Sequence, residues 1–193
     1  LLLDLQGRLL ARSASEVDTL PWPWLLAWCN HAGVYCVPTT ELIEWLKDAV
    51  GGRSALDVAA GHGAIGCALG IHTTDARMSE RPEIAAEYRR VGHPPPFCPP
   101  EVETLEALAA VEKYRPQVVI CAWGSEKDKG RGGFVFGLDE VAILRKVETY
   151  IHIGTRRRHP HRGMRRPDQV LRPPWLRSRA VQRDDQICVW NRR

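Results

Sequence analysis

Residues 55–77, ALDVAAGHGAIGCALGIHTTDAR, contain two short runs of strand-forming residues that each carry an acid, Asp57 and Asp75, with glycines at 61, 63 and 66 between them. The run SALDVAA fits a strand buried on both faces, because it is apolar without alternation. IGCALG is long enough for about two helical turns, and IHTTD reads as a second strand. A strand, a glycine turn, a short helix and a strand make one βαβ unit, and its crossover makes the two strands parallel. In open sheets of this kind a ligand sits beyond the carboxyl ends of the strands, where the first strand turns into its helix. Glycine at that turn permits positive φ and lets the backbone approach a ligand closely.

The flanking sequence repeats the alternation of strand and helix. PTTELIEWLKDAVGG predicts a helix, capped by Thr39 or Thr40, with Leu42, Ile43, Leu46 and Val50 on one face and Gly51 and Gly52 at its end. LPWPWLLAWCNHAG predicts a shorter one that starts after proline, its tryptophans serving as packing residues. Further helices are expected in SERPEIAAEYRRVG, in EVETLEALAAVEKYRP over 101–116 and in GLDEVAILRKVE, and further strands in QVVICAW, TYIHIG and DQICVWNR. The pattern predicts an α/β, Rossmann-like fold: a mostly parallel open sheet with helices on both faces. Residues 1–50 are read as an N-terminal helical cap and 51–193 as the ligand-binding domain, a single compact unit. GHPPPFCPP, 92–100, is an extended, helix-breaking connection.

Two ligand classes compete for the turn. Gly61, Gly63 and Gly66 spell G-x-G-x-x-G, the dinucleotide pattern, which is weak alone. Asp57 lies only four residues before Gly61, whereas a pyrophosphate at the helix N-terminus needs freedom from nearby negative charge. Asp75 follows Gly61 by fourteen residues, against about twenty in the dinucleotide fingerprint. A carboxylate ending the second strand can accept both hydroxyls of a ribose, which suits any adenosine-containing cofactor.

LDVAAGHG resembles the first motif of class I S-adenosylmethionine-dependent methyltransferases. Asp57, Gly61 and Gly63 match it position by position, and Ala59 stands where a glycine is usual. Over roughly residues 33–193, the segments GRSALDVAAGHGAIGCALGI, VETLEALAAVEKYRPQVVICAW, FGLDEVAILRKVETYIHIG and SRAVQRDDQICVW are similar to a group of small bacterial and phage proteins of methyltransferase type. The resemblance implies S-adenosylmethionine as cofactor. Its methionine part would lie over the turn containing Asp57, Ala59, Gly61, Gly63 and Gly66, and its ribose on Asp75. Glu106, just after strand three, would approach the adenine amino group, with Glu103 as the fallback.

The acceptor would then face the end of strand four, where Trp123 stands and the Asn/Asp-Pro-Pro-aromatic motif of base amino-methylating enzymes is absent. An indole there can stack on a planar or cationic acceptor or wall the cofactor site. Tyr35, Trp123 and His152 are the catalytic candidates, although His152 between Ile151 and Ile153 also reads as a packed strand residue. No metal site is expected: His159 and His161 lack a neighbouring third ligand in sequence. The glycine-rich segment 130–137 reads as a flap over the site or a plain surface loop.

Composition narrows the classes. Of 193 residues, 44% are hydrophobic and 26% charged, the balance of a globular chain. No apolar run reaches the roughly 20 residues of a membrane span, and LLLDLQGRLLARS lacks signal-peptide order, so the expectation is a cytoplasmic protein with no membrane partner. The six cysteines are scattered and read as buried thiols. Residues 1–154 carry 15 Lys/Arg against 20 Asp/Glu, while 155–193 carry 12 against 3. Arginines of that tail can meet phosphates or pack on the chain's own acidic surface. A methyltransferase acting on a small-molecule acceptor is favoured over one acting on nucleic acid. A protein that binds the cofactor without transfer and a nicotinamide enzyme are the alternatives.

Overall fold

The computed structural model describes residues 2–90, 96–124, 128–129, 135–161, 163–179 and 184–192. Seven strands form one sheet: β1 (Ala55–Val58), β2 (His72–Asp75), β3 (Glu103–Thr104), β4 (Val118–Ala122), β5 (Thr149–Thr155), β6 (Gln169–Leu171) and β7 (Asp185–Asn191), in the order β3-β2-β1-β4-β5-β7-β6. The first five run parallel, and β7 is antiparallel to both its neighbours. The helices are α1 (Ala14–Asp18), α2 (Trp22–Ala32), α3 (Thr40–Val50), α4 (Ala64–Leu69), α5 (Pro82–Arg90), α6 (Ala107–Tyr114) and α7 (Glu140–Lys146). The result is a mixed α/β fold with helices on both sides of the sheet.

Period-two alternation in the strands sorts the core into two layers. Val118, Ile120, Ile151, Ile153, Ile187 and Val189 face α3 and α4, which supply Leu42, Ile43, Leu46, Val50 and Ile65. The intervening residues Val119, Cys121, Tyr150, Cys188 and Trp190 face α6 and α7, with Ala110, Val111 and Ile143. Thr39 caps α3 as expected, accepting the Leu42 N–H at 3.2 Å, and Gly51 ends it at φ +59°. Helix α3, grouped with the cap by sequence, buries its apolar face on the sheet. A third cluster, built from Leu2, Leu9, Val17, Leu25, Cys29, Val34 and Val37, holds the other N-terminal elements together.

Three elements differ from expectation. The helix expected over 101–116 starts only at Ala107, because Glu103–Thr104 pair with Thr74–Asp75 as an edge strand and Leu105 N–H goes to the Asp75 carbonyl at 3.1 Å. β7 lies between β5 and β6 and runs antiparallel to both, and no helix among the described residues connects it to β6. Cys36–Val37 pair with Arg177–Ser178, a two-residue ladder too short to leave a periodic signal. No helix among the described residues is long and apolar enough to cross a membrane. All six cysteines are free thiols: four are buried, Cys36 is half-buried and Cys67 exposed.

Candidate functional site

At the carboxyl end of the sheet, where the strand order reverses between β1 and β4, the chain encloses a cavity of about 620 Å³. That volume lies within the range of small-molecule and cofactor pockets. The turn after β1 forms its floor. Ala59 and Gly61 line it, both in the left-handed region at φ +50° and +52°. An alanine in that conformation costs about 1–2 kcal/mol relative to glycine, and it occupies the position where the motif usually has glycine.

Asp75, at the end of β2, organises this floor. Its Oδ2 accepts the Gly61 N–H at 2.9 Å and its Oδ1 the Arg77 N–H at 2.7 Å, so both carboxylate oxygens are oriented by backbone while the residue lines the cavity. Asp57 stands beneath the turn rather than on the cavity wall. It is buried, and its Oδ2 accepts the Gly66 N–H at 3.0 Å while Oδ1 has no hydrogen-bond partner among the described residues. Burial pushes its carboxyl up to about 7, offset in part by the Gly66 hydrogen bond and increased by the nearby Asp75 charge.

Gly63 and Gly66 are likewise beneath the floor, and their role is close packing. A Cβ on Gly63, at φ +67°, would lie 2.5 Å from Val102 Cγ2, and one on Gly66 would lie 2.0 Å from Thr73 Cγ2. The missing side chains let α4 sit against β2 and let Asp57 reach the first turn of α4. His62, between the two turn glycines, donates Nε2–H to the Ala32 carbonyl at 3.1 Å and ties the N-terminal cluster to the cavity rim.

Glu106 lines the cavity immediately after β3 and pairs with Arg81 at 3.3 Å. The fallback Glu103 points elsewhere, to Lys113 at 2.6 Å and the Tyr114 hydroxyl at 2.5 Å. On the opposite wall Trp123 takes φ +62° directly after β4, donating its backbone N–H to the Ile153 carbonyl at 2.7 Å. Its ring lies 5.8 Å from that of Tyr35, which also lines the cavity, and Arg179 sits 4.2 Å over the Tyr35 ring. Tyr88 from α5 hydrogen-bonds Tyr35, and burial pushes the Tyr88 hydroxyl well above its ordinary range.

The structure therefore brings Ala59, Gly61, Asp75, Glu106, Tyr35 and Trp123 onto one cavity and leaves Asp57, Gly63 and Gly66 as its foundation. His152 is not on the wall. It is buried behind it, with Nε2–H on the Gly124 carbonyl at 3.3 Å. Sequence reasoning missed Met78, Ser79, Glu83, Ile84 and Tyr88 as lining residues, because nothing in a surface-type helix marks which face closes over a neighbouring crevice. The expected flap falls largely outside the described residues. At its end 135–136 pair with 128–129, and Gly137 and Leu138 reach the cavity.

No protein-family model matches the chain, and no curated protein matches it. Among solved structures, a hypothetical protein of Thermus thermophilus is similar at 18% identity and a TM-score of 0.39, covering 78% of this chain and 82% of that one.

Proposed function

We propose that this chain binds S-adenosylmethionine in the β1/β4 crevice and methylates a small-molecule acceptor held against Trp123 and Tyr35. The observation that carries the reading is Asp75: a carboxylate ending β2, aligned by two backbone N–H groups, on the wall of a cofactor-sized cavity at the switch point. Its remaining lone pairs suit a vicinal pair of ribose hydroxyls. The methyltransferase-type Rossmann-like assignment has further support in the parallel order β3-β2-β1-β4-β5.

Two features weigh against a dinucleotide. The Gly66 N–H at the start of α4 already serves the buried Asp57, so it is not free to donate to a pyrophosphate. A dinucleotide fold also repeats a parallel βαβαβ half on each side of the switch point, and the antiparallel β7 interrupts that repeat. A cofactor with one nucleoside needs only the β1–β3 half.

The residues fit such a cofactor. Ala59 and Gly61 would pass under its amino-acid part, Asp75 would accept its ribose hydroxyls, and Glu106 would meet the adenine amino group. When bound, it supplies a methyl group on a sulfonium, an electrophile that needs little acid or base help from the protein. What the chain's own residues do is orient the acceptor and exclude water. Trp123 offers a flat face for that, and Tyr35, held by Tyr88, offers a hydroxyl at the same wall. His152 has no access to the cavity and takes no part.

Calorimetry with S-adenosylmethionine, S-adenosylhomocysteine and NAD side by side tests the reading. Both sulfur nucleosides should bind and NAD should not; binding of NAD alone overturns it. Binding without transfer to any offered acceptor would favour a cofactor-binding protein over an enzyme.

A further inference from the structure

Behind the Trp123–Gly124 wall, on the face of the sheet opposite α3 and α4, the chain buries a second cluster of chemistry-bearing groups. Glu140 from the first turn of α7 is 4% exposed, His152 from β5 is 1% exposed, and His161 follows in the turn after β5 with a side chain 10% exposed. One ligand-type atom from each falls within 4.8 Å of the other two.

Hydrogen bonds account for part of this cluster. The Tyr150 hydroxyl donates to Glu140 Oε1 at 2.9 Å, and His161 Nδ1 lies 3.0 Å from both carboxylate oxygens. With Nδ1–H given to Glu140, His161 carries its lone pair on Nε2, and that atom is buried without a hydrogen-bond partner among the described residues. With Nε2–H on the Gly124 carbonyl, His152 likewise has its lone pair on Nδ1. Glu140 makes no ion pair with Lys or Arg among the described residues. The core thus holds a carboxylate with no fixed cation and an imidazole lone pair with no donor, and each is costly to bury.

We infer that Glu140, His152 and His161 form a binding site for a divalent transition-metal ion of zinc type, held by one carboxylate oxygen and one nitrogen of each imidazole. A cation held between the Glu140 carboxylate and His161 Nδ1, which lies 3.0 Å from both oxygens, would supply the positive charge that the carboxylate lacks. Bonds of about 2.0–2.2 Å in tetrahedral geometry bring ligand atoms to about 3.4 Å from each other, so the widest pair closes by about 1.4 Å, within the reach of side-chain rotation. Gly154 makes room for the rings: a Cβ there would lie 2.7 Å from His152 Cε1 and 2.4 Å from His159 Nδ1. None of the three residues lines the cavity. The ion would be structural, bracing α7, β5 and the following turn against one another and, through His152 on the Gly124 carbonyl, fixing the wall that carries Trp123.

The test is elemental analysis of the purified full chain, followed by chelation and reconstitution with zinc or cobalt(II). Wild type should hold about one ion per chain, show the visible bands of a low-symmetry cobalt(II) site, and lose thermal stability on chelation. Glu140→Gln and His161→Gln should each weaken metal affinity at least about tenfold, while His72→Ala, at an exposed histidine elsewhere, should not. Wild type that takes up no ion and whose melting is indifferent to zinc overturns the inference, as does unchanged affinity in both ligand variants. Should the variants fail to fold, the wild-type cobalt spectrum and stoichiometry decide. The outcome is independent of the cofactor proposed above.

Discussion

Replacing Asp75 separates the proposed cofactor site from an ordinary loop carboxylate. In the folded chain its two oxygens accept N–H groups of Gly61 and Arg77 at 2.9 and 2.7 Å, and the residue lines the cavity at the carboxyl end of the sheet. Asp75→Ala removes both backbone acceptors and both acceptors offered to a ribose. The turn is half-buried, so water can satisfy the freed N–H groups, and the larger loss falls on the ligand. Hydrogen bonds to a charged group contribute about 1.5–3 kcal/mol, which corresponds to affinity weakened about ten- to 150-fold. Asp75→Asn is the sharper variant. It keeps the shape but sets an NH2 against one of the two backbone donors, so it should bind little better than alanine. Isothermal calorimetry with S-adenosylhomocysteine, paired with thermal melts to confirm folding, measures this. A folded Asp75→Ala chain with wild-type affinity would falsify the placement of the ribose on Asp75.

Other perturbations probe the foundation and the tail. Gly63→Val should destabilise the chain by about 2–5 kcal/mol, combining left-handed strain with overpacking against Val102, and should abolish cofactor binding; an unchanged denaturation midpoint contradicts the turn geometry. Because burial holds Asp57 up at about 7 against an ordinary 3.8, the folded state binds its proton more readily than the unfolded state, and its contribution is lost as pH rises through that window. Wild type should therefore lose about 2 kcal/mol relative to Asp57→Asn between pH 5 and 7, at about 1.4 kcal/mol per pH unit; parallel urea curves at the two pH values would show that Asp57 is not held neutral. In the basic tail, Arg165 pairs with Asp168 at 2.7 Å and Arg177 with Asp18 at 2.5 Å, so arginines here pack on the chain's own acids. The expectation is no salt-dependent binding of DNA or RNA at moderate ionic strength. If such binding appears and replacing Arg156, Arg157 and Arg158 together flattens its salt slope by up to about three, a nucleic-acid acceptor replaces the small molecule.

The local chemistry of the first βαβ unit was legible before any fold was known. Positive φ at Gly61 and Gly63, acids on the first two strands and the continuous apolar run of β4 are consequences of nearest-neighbour sterics and of burial on both faces, and both are recorded in residue type and spacing. The short edge strand Glu103–Thr104 and the ladder joining Cys36–Val37 to Arg177–Ser178 left no such trace, since two residues do not make a period and their stability comes from partners far along the chain. The same applies to which acids touch the cavity. Asp57 and Asp75 look alike in sequence, yet pairing of β1 between β2 and β4 buries the first under the turn and leaves the second on the wall. Glu140 and His161 lie 21 positions apart, with His152 between them, without any metal-ligand spacing. Only the packing of α7 over β5, with the following turn folded back onto both, collapses that separation to a few ångströms, because long-range juxtaposition is a property of how layers stack and not of any local run of residues.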